Sequence, residues 1–444
     1  MKIFKTTVLI FSILLFAVSI FAQNIGVANV NDIENILPLK ARAEKMNEIL
    51  EWRLDNIIPE LMQREGVDMW LVICREYNED PVYLSMVPEP NMAARRTSIL
   101  IFHDRGSGQG VERLTGSFYD MGKWYKTIYT DRKKDQFETL AEFIEKVDPK
   151  RIGINDSPTW AFGDGLSASF RKTLENALGD KYTNRLVSAE NLCIGWLETR
   201  SPEELSIYRH ICGIAHDIIG EFFSNEVIVP EITTTEDVVW WIRQRITDLG
   251  LKTWFQPSVS IQRSREMSDK YGNSNVIRRG DLLHCDIGIV YLGLCTDTQE
   301  NAYVCRTGET EVPECLTIAL DKGNRLQDIF MNEFKVGRTG NDILLASRNK
   351  AIAEGLNPSI YTHPLGIHGH AAGTVLGLWD RQDGVPLRGD YPLHLNTCYS
   401  IELNNTYSDP VWGNIRMALE EDAAFTEDGC KFIDGRQEKL YIIK

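Results

Sequence analysis

The sequence predicts an α+β protein of two lobes, and three observations carry that prediction. Strand-like and helix-like runs alternate between residues 40 and 190, the pattern of an α/β layer. Ser201-Pro202-Glu203-Glu204 then combines an N-cap serine, a proline at the first helical position and a glutamate at the third, marking a new helix and a second lobe. Beyond it Gly280 to Val304 reads as a two-stranded ribbon, and Tyr361 to Ile443 alternates strand-like runs with turns. A chain of 444 residues is long enough for two domains, and 43% apolar with 25% charged residues is ordinary for a soluble globular protein. The net charge of -15 argues against nucleic acid or an anionic membrane surface as partner.

At the N-terminus, Lys2 and Lys5 precede the apolar run Val8 to Phe21, which ends in Ala22-Gln23. A basic start, a hydrophobic run and a small residue at the exit describe a secretory signal peptide over residues 1–23. The run is short for a membrane span, and an uncleaved anchor is the alternative. The mature protein is therefore expected in the periplasm or secreted, free of the membrane. All nine cysteines lie after the leader without a C-x-x-C pair, so at least one thiol stays unpaired and no zinc knuckle is indicated.

The α/β region, residues 24–197, opens on a helix in which Met46, Leu50, Leu54, Ile57 and Leu61 recur at helical spacing; Gly66 stops it and Pro59 should bend or split it. Strands are expected at Met69–Cys74 and Ser98–His103, with Gly106–Gly110 as a hairpin turn and Val111–Leu114 as the return strand. Helices at Phe137–Lys146 and Ser167–Leu178 flank a short strand at Arg151–Ile154. In the region 198–444, Leu205, Tyr208, Ile211, Ala215, Ile218 and Phe222 form one apolar helical face. A second capping box, Thr233 to Glu236, starts a helix that Gly250 ends, and Asn341–Glu354 is a further helix.

The chemistry concentrates in the second lobe. Asp286 and Asp297 sit in apolar strand-like segments on either side of Gly288 and Gly293, so a ribbon can aim both at one point. Two carboxylates facing each other in a half-buried sheet repel unless a cation lies between them, and oxygen ligands suit a hard divalent ion. Of eight histidines, His363, His368 and His370 fall within one short glycine-rich stretch, and neutral imidazole is a common metal ligand. Glu402 and Glu421 lie in apolar strand-like runs, where an acid is costly unless paired or ligating; an ion pair with Arg416 is the alternative for Glu421. In order the half-chain offers Asp, Asp, His, Glu and Glu. Such a set suits two ions of the manganese, zinc or cobalt kind.

That order resembles the pita-bread metallopeptidase superfamily of aminopeptidase P, prolidase, methionine aminopeptidase and creatinase. The D-x-G…D ribbon matches Asp286-Ile287-Gly288 and Asp297, and H-x-x-G matches His370-Ala371-Ala372-Gly373. I-E-P matches Ile401-Glu402, with Leu403 for proline, and E-D-x-x-x-x-T matches Glu421-Asp422 and Thr426 with one residue fewer between them. The resemblance implies a C-terminal pita-bread domain preceded by a smaller creatinase-type α/β domain. It implies Asp286, Asp297, His370, Glu402 and Glu421 as ligands of two divalent ions, with Asp297 and Glu421 bridging; His368 is the rival to His370. Manganese is the expected metal, with zinc or cobalt as alternatives.

By the same resemblance the activity is that of an Xaa-Pro aminopeptidase or dipeptidase acting on small peptides, and family members often pair as dimers. Glu402 would shuttle the proton and His363 would help hold the intermediate. Two family histidines have no counterpart in this matching. One precedes the first ligand aspartate, where Asp269 stands; the other follows the ligand histidine, where Val375–Asp380 holds none. Alternative readings are a creatinase-like hydrolase of a non-peptide C–N bond and a non-catalytic peptide-binding member of the fold.

Overall fold

The structure is a computed structural model describing residues 31–106, 108–118 and 121–444; the leader expected at residues 1–23 lies outside the described residues. Asp32–Lys444 forms one compact unit. Among the described residues no helix is long and apolar enough to cross a membrane.

The chain enters through α1 (Leu39–Glu65), which buries Leu50, Leu54, Ile57, Ile58 and Leu61 and ends at Gly66 in the left-handed region, φ 62°. Pro59 lies inside this helix without splitting it. Then follow β1 (Met69–Arg75), β2 (Thr97–Asp104), β3 (Val111–Thr115), β4 (Lys126–Thr127), α2 (Gln136–Val147), β5 (Ile152–Ile154), α3 (Ala168–Thr183), β6 (Leu186–Ser188) and α4 (Glu190–Glu198). The strands make one six-stranded sheet in the order β4-β3-β2-β1-β5-β6. Alternate residues of β1 explain its unbroken apolar run. Met69, Leu71 and Ile73 pack with α2 and α3, while Trp70, Val72 and Cys74 pack with α1 and α4. The glycine-rich segment after β2 is the expected hairpin turn, with Asp104 opposite Val111.

The second lobe starts at α5 (Pro202–Phe222), whose capping box between Ser201 and Glu204 is complete. The next box lies one residue later than expected: Thr234 and Asp237 cap α6 (Thr235–Asp248), where Thr234, in the extended conformation, exchanges side-chain-to-backbone hydrogen bonds with Asp237. The remaining elements are β7 (Lys252–Thr253), β8 (Ser258–Gln262), α7 (Arg265–Tyr271), β9 (Leu282–Asp286), β10 (Ile289–Tyr291), β11 (Leu294–Cys295), β12 (Asn301–Val304), α8 (Glu314–Met331), α9 (Gly340–Ala353), β13 (Pro358–Ile360), β14 (His363–Leu365), β15 (Thr397–Ser400), β16 (Leu403–Asp409), β17 (Gly413–Leu419), β18 (Asp422–Thr426), β19 (Gly429–Phe432) and β20 (Tyr441–Ile443).

Helices α5 and α6 cover the β20-β12-β9-β8 sheet, and α8 with α9 covers the sheets built from β13 to β19. The two halves meet where Gln299 and Glu420 exchange both backbone hydrogen bonds. Helix α8 has no sequence-based counterpart above. Gly323 in its middle reads as a breaker, yet it is a packing requirement: a Cβ there would sit 2.7 Å from Leu419 Cδ1. All nine cysteines are free thiols.

Candidate metal centre

Strand register brings the two aspartates together. His284 lies opposite Asn301 and Ile287 opposite Thr298, which sets Asp286 across from Gln299 and Asp297 across from Gly288 on one face. The aspartates are thus diagonal neighbours. Between them the ribbon turns at Leu292 and Gly293, both in the left-handed region at φ 53° and 76°, as a tight hairpin requires. Gly288 leaves room for Trp254: a Cβ there would lie 2.2 Å from its indole nitrogen, which donates to the Thr296 carbonyl at 2.8 Å.

The other half supplies the rest. On β14 and β15, His363 pairs with Ser400, which pairs in turn with Asp422 on β18. Leu403 pairs with Leu419, so Glu402 stands across from Glu420. Three overlapping groups of donor atoms, each within 4.8 Å, result: Asp286, Asp297 and Glu420; His363, Glu402 and Glu420; and Asp297, His363 and His370. Asp297, Glu420 and His363 each belong to two of them.

His363 Nε2 is 3.4 Å from Asp297 Oδ2 and 3.6 Å from Glu420 Oε1. Its Nδ1 lies 2.9 Å from the Pro364 carbonyl, which only accepts, so Nδ1 carries a hydrogen and Nε2 faces the acids. Asp286 Oδ1, Asp297 Oδ1 and His363 Nε2 are buried without a hydrogen-bond partner. Glu420 is held by the Ser400 hydroxyl and the Gln299 amide, which also donates to Glu402 Oε1 at 2.6 Å.

Electrostatics agree that something positive belongs here. Burial, and then the neighbouring acids, push Glu402 up to about 9 and Glu420 up to about 8; burial lifts Asp286 to about 6 and raises Asp297 strongly. Burial opposes a charged His363, but its contacts with Asp297 and Glu420 outweigh that and raise it. Two buried and two half-buried carboxylates, orphaned oxygens and an imidazole nitrogen fit divalent cations: two such ions would cancel the four negative charges.

Two expected assignments need correction. Glu421 does not reach this cluster. Neighbouring side chains leave a strand on opposite faces, and Glu421 turns toward α5, where His216 Nε2 lies 3.1 Å away and the Gln437 backbone N–H donates at 2.9 Å. There it joins Glu300 and His216, whose Nδ1 is 2.9 Å from Asp434. The nitrogens of His216 and the oxygens of Glu421 all have protein partners, unlike the orphaned atoms of the first cluster. Glu420 takes the place expected for Glu421, and the alternative for Glu421, an ion pair with Arg416, does not form; Arg416 donates to Tyr361. The clue was the interval, since starting the E-D-x-x-x-x-T match at Glu420 restores the missing residue before Thr426.

The second correction concerns histidines. His363, not His370, lies among Asp297, Glu402 and Glu420. His370 is exposed at the edge, its ring 4.6 Å from that of His363 and 5.1 Å from that of Trp254. His370 follows His363 at an interval of seven, with six residues between them, the interval at which the resemblance expects a histidine after the ligand. His368 points elsewhere and stacks on Phe162 at 4.8 Å. Asp269 stays exposed on the short helix α7.

The pattern of metallopeptidase family M24 matches residues 206–427, half of the chain, a range that includes Asp286, Asp297, His363, His370, Glu402 and Glu420. An uncharacterized peptidase of Bacillus subtilis (strain 168), YqhT, is 23% identical over 309 residues, 69% of this chain and 79% of that protein. Among solved structures, X-Pro aminopeptidase from Thermotoga maritima MSB8 is similar with a TM-score of 0.61 at 16% identity, over 86% of this chain and 99% of its own. Xaa-Pro dipeptidase from Bacillus anthracis is similar with a TM-score of 0.57 at 16% identity, over 91% and 99%. The shared fold is an α/β N-terminal domain followed by a pita-bread domain. The chain belongs to metallopeptidase family M24.

Proposed function

We propose that the protein is an exported dinuclear-metal hydrolase that cleaves small peptides at Xaa-Pro bonds, as an aminopeptidase or dipeptidase. One observation carries the reading: two donor groups share Glu420, and buried atoms of Asp286, Asp297 and His363 lack a hydrogen-bond partner. Asp286, Asp297 and Glu420 would hold one ion, and His363, Glu402 and Glu420 the other, with Asp297 close to both. Bound there, a pair of divalent ions supplies Lewis acidity, generating a nucleophile near neutral pH and polarising a carbonyl. Manganese suits the carboxylate-rich set; zinc and cobalt are the alternatives.

The chain's own residues do the rest. Glu402, half-buried and fixed through one oxygen by Gln299, keeps its second oxygen to accept and return a proton. His370 at the exposed edge is placed to donate to a substrate oxygen as negative charge develops on it. Trp254 backs that imidazole and limits its rotation. The names of the Thermotoga maritima and Bacillus anthracis relatives support the Xaa-Pro preference. The basic start and apolar run of residues 1–23, read as a leader, support action outside the cytoplasm, and pairing as a homodimer belongs to the same proposal.

Purified protein incubated with manganese, zinc or cobalt and a panel of X-Pro dipeptides and longer peptides tests this. Metal-dependent release of the N-terminal residue is expected. Absence of metal-dependent cleavage of any peptide in the panel would overturn the reading. Fractionation of producing cells, with N-terminal sequencing of the exported chain, tests the location.

A further inference from the structure

Gln299 stands across the ribbon from Asp286 and is tied by its backbone to Glu420. Its side chain is almost wholly buried, at 3% exposure. The amide nitrogen donates to Glu402 Oε1 at 2.6 Å and also to Glu420 Oε2, so both of its hydrogens are committed to carboxylates. The amide oxygen lies 2.8 Å from His284 Nε2. To ligate a cation both carboxylates must be ionised, and an ionised carboxylate only accepts, so the NH2 end faces the acids and the oxygen end faces the ring. His284 then carries a hydrogen on Nε2, which leaves its Nδ1 to face the Ser260 hydroxyl at 3.4 Å.

The two acids joined by this amide are not equivalent. Glu420 belongs to both ion-sized groups, whereas Glu402 belongs only to the one with His363. Side by side in a buried strand pair they repel, and each could rotate away. An NH2 group between them offsets part of that repulsion and fixes one oxygen of each. The Ser400 hydroxyl holds the remaining oxygen of Glu420.

Resting on the metal-centre reading above, we infer that Gln299 is a positioning residue of that centre. It sets the separation and rotation of Glu402 and Glu420, and His284 decides which end of its amide faces them. Nothing in the family resemblance assigns either residue. Removing the amide should weaken chiefly the ion beside His363, because that position uses both tethered carboxylates.

Cobalt(II) titration of the full-length mature protein tests this, read by calorimetry and by the visible absorption of bound cobalt. The wild type should bind two ions. Gln299→Leu should bind the weaker one about tenfold to a hundredfold less tightly, with an altered cobalt spectrum. His284→Leu should move both readouts in the same direction. His284→Gln should restore them, since its amide nitrogen can donate to Gln299 as the ring nitrogen did. The inference is overturned if Gln299→Leu and His284→Leu, folded by circular dichroism in EDTA, bind cobalt with wild-type affinity and spectrum. Should Gln299→Leu not fold, the contrast between the two His284 variants decides: equal weakening in both overturns it. A wild type that binds no cobalt would sink the metal-centre reading itself, and this inference with it. Variants matching a cobalt-binding wild type would sink the inference alone.

Discussion

His363 Nε2 lies 3.4 Å from Asp297 Oδ2, and the opposite nitrogen of the same ring is tied to the Pro364 carbonyl at 2.9 Å. The backbone therefore settles which nitrogen faces the acids. A ring oriented by one nitrogen and unpartnered at the other is poised as a ligand. His370, exposed and held only by ring contacts, has no such constraint.

From this contrast, His363→Ala should lose bound metal on gel filtration, while His370→Ala should retain it. The His370 variant should instead lose turnover by about a hundredfold to a thousandfold, the usual cost of removing one donor to a developing oxyanion. Elemental analysis beside steady-state kinetics separates the two. Equal metal retention by both variants would contradict the assignment.

Glu420 and Glu421 are adjacent in sequence and serve different networks. Glu420→Gln should abolish binding at both ion positions, because that carboxylate is common to both groups. Glu421→Gln should keep its metal and lose about 1–3 kcal/mol of stability, since it replaces the charged partner of His216 Nε2 with a neutral one beside a buried acid. Urea unfolding in EDTA and metal content after dialysis check both halves.

Glu198 offers a pH test away from the metal centre. Burial lifts its carboxyl to about 8 despite a hydrogen bond from Tyr391, and Oε2 has no partner. The folded state thus holds a proton that the unfolded chain releases near pH 4.5. Its contribution is present in full below that pH and fades as pH rises toward 8, by up to about 1.4 kcal/mol per pH unit. Glu198→Gln should flatten the stability profile between pH 5 and 8 when unfolding is followed by denaturant titration; an unchanged slope would refute the assignment.

Gly369 has Trp254 against it: a Cβ would lie 2.1 Å from the indole Cε2. Gly369→Ala should therefore displace the ring that backs His370. A stability loss of about 1–3 kcal/mol, the cost of overpacking, is expected. The Michaelis constant should rise with metal content unchanged. Thermal unfolding and kinetics with a fixed metal supply provide the check.

Much of this was readable in the residues themselves. The α/β region followed from alternating periodicity, the start of α5 from Ser201 and Glu204, and the convergence of Asp286 and Asp297 from strand composition around a glycine turn. Two things were not readable locally. Glu420-Glu421 is a pair of acids in a strand, and a slip of one residue exchanges the faces of both. His363 and His370 share one glycine-rich stretch, so their roles depend on which is tethered by Pro364 and which is left at the surface.

The sequence by itself determined which half of the chain carries the chemistry, the type of donor set and the family to which it is akin, because residue type, order and interval survive without coordinates. Only the tertiary structure decided which of two neighbouring acids and which of two histidines enter the centre, and that Gln299 links Glu402 to Glu420. Those choices depend on strand register and on contacts between residues far apart in the chain, where a shift of one position reverses a side chain's direction.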